Sequence, residues 1–171
     1  MIEKFKEIKC FVFDVDGVLT NGNLLVMPGG TMLRTMNVKD GYAMQLAIKK
    51  GYHIAVISGG NSPEVKERLQ KLGITEVYMQ AEDKLSVLKS IIEKYTLSPS
   101  NILCMGDDMP DIDIMKYAGL PCCPANAVPE IKKLSLYISP KNGGEGCARN
   151  VIEMVLRVRG DWYVDTHIRA Q

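Results

Sequence analysis

The sequence predicts an α/β fold built on a doubly wound parallel sheet, and three observations carry that prediction. Apolar runs of strand length alternate with segments of helical periodicity along most of the chain. Two of the runs, Cys10-Phe11-Val12-Phe13 and Ile102 to Met105, lead straight into acidic clusters, Asp14-Val15-Asp16-Gly17 and Gly106-Asp107-Asp108-Met109-Pro110-Asp111. A third run ends at Ser58-Gly59-Gly60, just ahead of a helix start. In an open parallel sheet the ligand crevice lies beyond the carboxyl ends of the strands, so both acidic clusters are expected to face one site.

In chain order, strands are expected at Lys9 to Val15, His53 to Ser58, Val77 to Gln80, Ile102 to Met105, Leu120 to Cys123 and Leu136 to Ile138. The first helix runs from Gly41 to Lys50 and is opened by Asp40. Pro63 to Leu72 follows, with Ser62 as cap, Pro63 at the first position and Gly73 as stop. Lys84 to Tyr95 forms the third, and a short helix from Asp111 to Ala118 stops at Gly119. Another follows Pro129, and a long one from Cys147 to Arg159 carries Val151, Ile152, Val155 and Leu156 at helical spacing. Between the first strand and its helix the alternation breaks. Asn23 to Met27 and Thr31 to Val38 flank Pro28-Gly29-Gly30 and predict a β-hairpin. It is too short for a cap domain, and its Leu24, Leu25, Val26, Met27, Met32, Leu33 and Met36 need cover. A second subunit is the economical source, and folding back on its own sheet is the alternative.

With 171 residues the chain is expected to form one domain, 1–171, with the hairpin flap at 21–38 and a tail at 160–171. Its 21 Lys+Arg against 20 Asp+Glu give a net charge of +1 with no basic block, which argues against nucleic acid as a partner. Five cysteines without C-x-x-C spacing read as reduced core thiols of a cytoplasmic protein. No apolar run is long enough to span a bilayer, so no membrane partner is expected.

Crowded carboxylates repel one another unless a cation sits among them, and an all-oxygen cluster suits Mg2+. A carboxylate held against such an ion is a competent nucleophile toward phosphorus, which points to Asp14. Asp16 is then the acid that protonates the leaving group and the base that activates water. Asp107 is expected to ligate the metal directly, with Asp108 and Asp111 acting through water or orienting neighbours. Ser58 and the bare backbone of Gly59 and Gly60 suit a phosphate cradle. Lys84 begins a helix, where the dipole disfavours a cation, so a nearby anion is expected to hold it.

Asp14-x-Asp16, Ser58, Lys84 and Gly106-Asp107-Asp108-x-x-Asp111 together resemble, in order and strand placement, the four motifs of the haloacid dehalogenase superfamily of Mg2+-dependent phosphohydrolases. The resemblance implies a Rossmann-like core and a metal set of Asp14, Asp16, Asp107 and Asp108. The hairpin in place of a cap, Asn37-Val38-Lys39-Asp40-Gly41 and Gly143-Gly144-Glu145-Gly146-Cys147-Ala148-Arg149 are similar, more closely, to the 3-deoxy-D-manno-octulosonate 8-phosphate (KDO 8-phosphate) phosphatases. That family implies a homotetramer whose neighbouring subunits close each site, and a phosphorylated sugar acid as substrate. It implies substrate contacts from Asp16, Asn37, Lys39, Asp40, Gly41, Ser58, Gly59, Gly60, Arg68, Lys84 and Arg149. Two departures stand out: Gly60 and Gln45 replace arginines common in the family, and Glu145 and Asn150 flank Arg149 atypically. A nine-carbon relative of the substrate and a non-catalytic tetramerisation module are the alternative readings.

Overall fold

The computed structural model describes residues 2–169; Ala170 and Gln171, the end of the expected tail, lie outside the described residues. Six parallel strands form the main sheet in the order β5-β4-β1-β6-β7-β8. They are β1 (Cys10–Phe13), β4 (His53–Ile57), β5 (Glu76–Tyr78), β6 (Ile102–Met105), β7 (Leu120–Cys123) and β8 (Tyr137–Ile138). β1 lies at the centre, paired in register with β4 on one side and β6 on the other. The winding reverses there, and the ends of β1, β4 and β6 border one crevice.

β1 reads Cys-Phe-Val-Phe without a polar residue because both faces of the sheet are covered. Phe11 and Phe13 pack toward α1 (Ile2–Glu7), α2 (Val38–Lys49), α3 (Pro63–Lys71) and α7 (Cys147–Arg159). Cys10 and Val12 face the other layer, with α4 (Lys84–Lys94), α5 (Ile112–Tyr117) and α6 (Pro129–Leu134). Phe11 and Phe13 are fully buried with rings stacked 6.2 Å apart, and truncating either to alanine removes about 3–5 kcal/mol.

Most boundaries shift from the sequence reading by a residue, and three shifts and one added helix have a clear physical reason. β1 stops at Phe13 because Val15–Leu19 coils into a wide turn closed by the Thr20 N–H on Val15 O (3.0 Å). Gly17 at φ +85° lies inside that turn. β5 ends early, at Tyr78, and two residues later Gln80 takes φ +55°. α2 starts at Val38, not Gly41: Asn37 is its cap and accepts from Lys39 N (2.9 Å), whereas Asp40 sits inside the first turn. α1 was not anticipated at all; one residue, Phe5, anchors it in the core.

The hairpin consists of two-residue strands, β2 (Leu25–Val26) and β3 (Met32–Leu33), closed at Met27 and Thr31 around the Pro-Gly-Gly turn. It forms a separate sheet and does not fold back on the main one. Leu25 and Val26 are 62% and 65% exposed, while Met36 at its base packs on the core. Residues 161–169 lie along α2. Asp165 binds Lys49 (2.5 Å) through its carboxylate and Tyr42 Oη (2.9 Å) through its N–H, and Gln45 donates to Arg169 O. Among the described residues no helix is long and apolar enough to cross a membrane.

Candidate active site

A cleft of about 360 Å³ opens at the carboxyl ends of β1, β4 and β6. It is lined by Asp14, Asp16, Ser58, Lys84, Asp107 and Asp111 among others, with Gly59, Gly60 and Asp108 at its rim. The order of the strands, not their sequence separation, brings these residues together.

Asp14 follows β1 and its N–H donates to Met105 O of β6 (3.1 Å), which ties the two strand ends at the point where the chemistry sits. Lys84 reaches in from the first turn of α4, whose cap, Asp83, accepts from Ser86 N (3.0 Å). Its ammonium bonds Asp14 Oδ1 at 3.0 Å and Asp111 Oδ1 at 2.7 Å, so the anion expected beside this lysine is a pair of carboxylates. Asp111 Oδ2 in turn accepts from Asp107 N (3.0 Å). The expectation that Asp111 orients its neighbours therefore matches its geometry.

Carboxylate oxygens of Asp14, Asp107 and Asp111 lie within 4.8 Å of one another. Burial, and then the charge of Asp111, raise Asp14 to about 7 against the pull of Lys84. Burial followed by Asp14, Asp111 and Asp108 raises Asp107 to about 7 as well. Burial pulls Lys84 down, but its two carboxylates outweigh it and hold the ammonium above the ordinary lysine value. Asp107 Oδ1 is buried without a hydrogen-bond partner. Three converging carboxylates, with one Asp107 oxygen lacking a partner, fit a hard divalent cation, which would relieve their repulsion.

Two of the expected ligands stand apart from this triad. Asp108 is exposed at the rim, accepting from Met109 N (2.8 Å). The Asp16 carboxylate is gripped by Arg34, with Nε to Oδ1 at 2.7 Å and Nη2 to Oδ2 at 3.0 Å. Sequence reasoning missed Arg34. The available signal was a lone cation inside an otherwise apolar hairpin strand.

Ser58 is buried and its Oγ accepts from Gly60 N (3.2 Å), which shapes the Ser58–Gly60 loop and occupies one N–H of the expected cradle. The remaining expected substrate residues are not brought into the cleft of this chain. Asn37 caps α2 and donates to Gly144 O (3.2 Å); Lys39 is exposed on the following turn. Asp40 and Gly41 are buried between α2 and α7, where Asp40 Oδ1 accepts from Arg149 N (2.7 Å) and burial raises the acid to about 6. Asp40 therefore ties α2 to the first turn of α7, and its Oδ2 is buried without a hydrogen-bond partner. The Arg149 guanidinium lies over Tyr42 and Trp162 and pairs with Glu153 (3.4 Å), holding the tail. Arg68 borders a neighbouring cleft of about 260 Å³ with Arg34, Val38 and Ser62.

Comparison with known proteins agrees with this geometry. Residues 71–151 match the family model of the haloacid dehalogenase-like hydrolases. The KDO 8-phosphate phosphatase KdsC of Escherichia coli K12 is 32% identical over 160 residues, covering 94% of this chain and 85% of the relative. The crystal structure of the Yersinia pestis KDO 8-phosphate phosphatase superposes with a TM-score of 0.91 at 29% identity, over 94% of this chain and 86% of that one. The Moraxella catarrhalis enzyme, solved with a magnesium ion, a phosphate ion and KDO, gives 0.88 at 33% identity over 92% and 90%. Similarity of that extent, over nearly all of both chains and on the same sheet, places this chain among the haloacid dehalogenase-like hydrolases, in the capless group of the KDO 8-phosphate phosphatases.

Proposed function

We propose that the protein is a Mg2+-dependent phosphomonoester hydrolase that converts KDO 8-phosphate to KDO and phosphate through an aspartyl-phosphate on Asp14. The observation that carries the reading is the junction of Asp14, Asp107, Asp111 and Lys84 at the end of the central strand, in a chain whose relatives act on this sugar acid. Asp14, Asp107 and the Asp16 carbonyl, with Asp111 behind them and Asp108 at the rim, would hold the ion. When bound, it neutralises the charge shared by the nucleophile and the phosphoryl oxygens.

This chain's own residues do the rest. With Oδ1 fixed by Lys84, Asp14 attacks phosphorus through Oδ2; the ester O–P bond breaks and Asp16 gives the departing oxygen a proton. Asp16 then takes a proton from water, whose oxygen attacks phosphorus and frees Asp14 and inorganic phosphate. Ser58 and the Gly59–Gly60 backbone hold phosphoryl oxygens, and Arg68, in the adjoining cleft, receives the acid end of the sugar. The exposed apolar hairpin is the surface on which a homotetramer forms, and Lys39 and Asn37 reach substrate where neighbours meet. Five buried free thiols fit a reducing cytoplasm.

A screen of phosphorylated sugar acids and simple sugar phosphates, with and without Mg2+, tests the assignment. The eight-carbon acid should be hydrolysed most efficiently and only with the metal. Equal efficiency on simple sugar phosphates would reduce the enzyme to a general phosphatase, and preference for the nine-carbon acid would move the substrate.

A further inference from the structure

Arg34 follows β3 on the hairpin, yet its guanidinium reaches the lip of the catalytic cleft. Nη1 donates to Met32 O (3.0 Å), which bends the side chain back, while Nε and Nη2 take both oxygens of Asp16. A guanidinium has five N–H groups, so two of them, one on each terminal nitrogen, are left for another acceptor. Gly60 defines where they sit. A Cβ built on Gly60 would lie 3.0 Å from Arg34 Nη2, 3.1 Å from Asp16 Oδ2 and 3.6 Å from Ser58 Oγ. Three polar groups thus converge on the room that residue 60 leaves by having no side chain, and Arg34 fills that room from another element.

Charge gives the guanidinium its purpose. Asp14, Asp16, Asp107, Asp108 and Asp111 border the cleft, and Lys84 is already committed to two of them at 2.7 and 3.0 Å. Even with an ion held by Asp14 and Asp107, a phosphoryl dianion entering beside Ser58 passes the Asp16 carboxylate, and Arg34 is the cation that faces it there. Arg34 and Arg68 both line the adjoining cleft, and of the two it is Arg34 whose guanidinium holds Asp16 and stands beside Gly60.

We propose, resting on the phosphatase reading above, that Arg34 is a substrate-positioning residue: on binding, its guanidinium passes from Asp16 to a phosphoryl oxygen of the substrate. The exchange holds the phosphate against Ser58 and frees the Asp16 carboxylate for the leaving-group oxygen. Asp16 is thereby turned away while the cleft is empty of an anion and released when one arrives. No bond other than hydrogen bonds changes, and the catalytic steps remain those of Asp14 and Asp16.

The test uses the full-length protein with Arg34→Ala, Arg34→Lys and the double variant Arg34→Ala/Gly60→Arg. For each, KM and kcat are measured on p-nitrophenyl phosphate and KDO 8-phosphate, with the inhibition constant of inorganic phosphate, Mg2+ affinity and the melting temperature. Arg34→Ala should raise KM for both substrates and the phosphate inhibition constant by roughly tenfold to a hundredfold, with Mg2+ affinity unchanged. Arg34→Lys should recover part of that loss. Gly60→Arg in the Arg34→Ala background should recover at least about tenfold, because it returns a guanidinium to the same room from the other side. Unchanged phosphate inhibition with kcat alone reduced would overturn the proposal in favour of a residue that only orients Asp16. An effect confined to KDO 8-phosphate would also overturn it, as a carboxylate contact. Failure of the phosphatase reading itself shows separately, as no Mg2+-dependent hydrolysis of p-nitrophenyl phosphate by the wild type.

Discussion

Gly17→Ala is the substitution whose outcome the structure constrains most tightly. Gly17 lies between the two acidic strand ends at φ +85°, and a Cβ there would fall 2.0 Å from Asp107 Oδ2 and 2.4 Å from its Cγ. Ordinary contact needs about 3.5 Å or more, so the Asp107 carboxylate must retreat by more than about 1 Å. Left-handed backbone adds about 1–2 kcal/mol of strain for a residue with a side chain. For a protein of this size that strain lowers the melting temperature by roughly 2–8 °C. A displacement of about 1 Å in a catalytic constellation costs on the order of a hundredfold in rate. The variant should therefore fold, melt slightly lower, and hydrolyse p-nitrophenyl phosphate at saturating Mg2+ about a hundredfold more slowly. Gly22→Ala is the control: φ is +81°, but the nearest atom to its Cβ is 3.6 Å away. It shares the strain without the overlap, so its melting temperature should fall similarly with a far smaller loss of rate. Equal rate losses in the two variants, or a wild-type rate in Gly17→Ala, would refute the view that Asp107 must stand where this turn leaves it.

Asp14→Asn should abolish turnover while leaving the circular dichroism spectrum unchanged, because the amide keeps the shape but not the nucleophilicity; phosphate release near the wild-type rate would sink the covalent mechanism. The acids at 14 and 107 titrate near 7 in the metal-free fold, above their ordinary value. Their contribution to stability is thus present at low pH and lost as pH rises through about 7. Metal-free melting temperature should accordingly fall between about pH 4 and pH 7, the ordinary and the raised values of these acids, and Mg2+ affinity should rise over the same window as the ligands shed protons. A metal-free stability that climbs across that window would contradict the placement of these carboxylates. Replacing Leu25 and Val26 with aspartate should yield smaller species in sedimentation and less activity, and a fully active monomer would refute the hairpin's part in assembly. Met36 is left intact in that experiment because it packs on its own core.

Much of this was legible in the chain. β1, β4, β6 and β7 are almost wholly apolar runs since both faces of the sheet are covered; Asp14 and Ser58 follow their strand ends directly, and Asp107 one residue later. The triad's third member was less so: Asp111 reaches the cluster through a short helical turn at Met109–Asp111, which swings it inward and leaves its neighbour Asp108 outside. Asp40 and Arg149 looked like substrate contacts because their local motifs resemble those of relatives, yet here each completes the packing of α2 on α7. Arg34 was passed over for the opposite reason, its one signal being a lone cation in an apolar hairpin. It carries no motif of its own, and its place is set by a hairpin turning back over a loop that sequence separation says nothing about.

Lys84 has a consequence for how the protein matures. Three carboxylates brought together by folding would favour an unfolded chain until an ion arrived, as in small domains that exist only when metallated. An ammonium lodged between Asp14 and Asp111 offsets much of that repulsion from within the chain. The polypeptide can therefore complete its sheet without an ion, and an ion held by the triad would bind afterwards. Starvation for the metal would then leave an intact, dormant population that regains function on resupply without refolding.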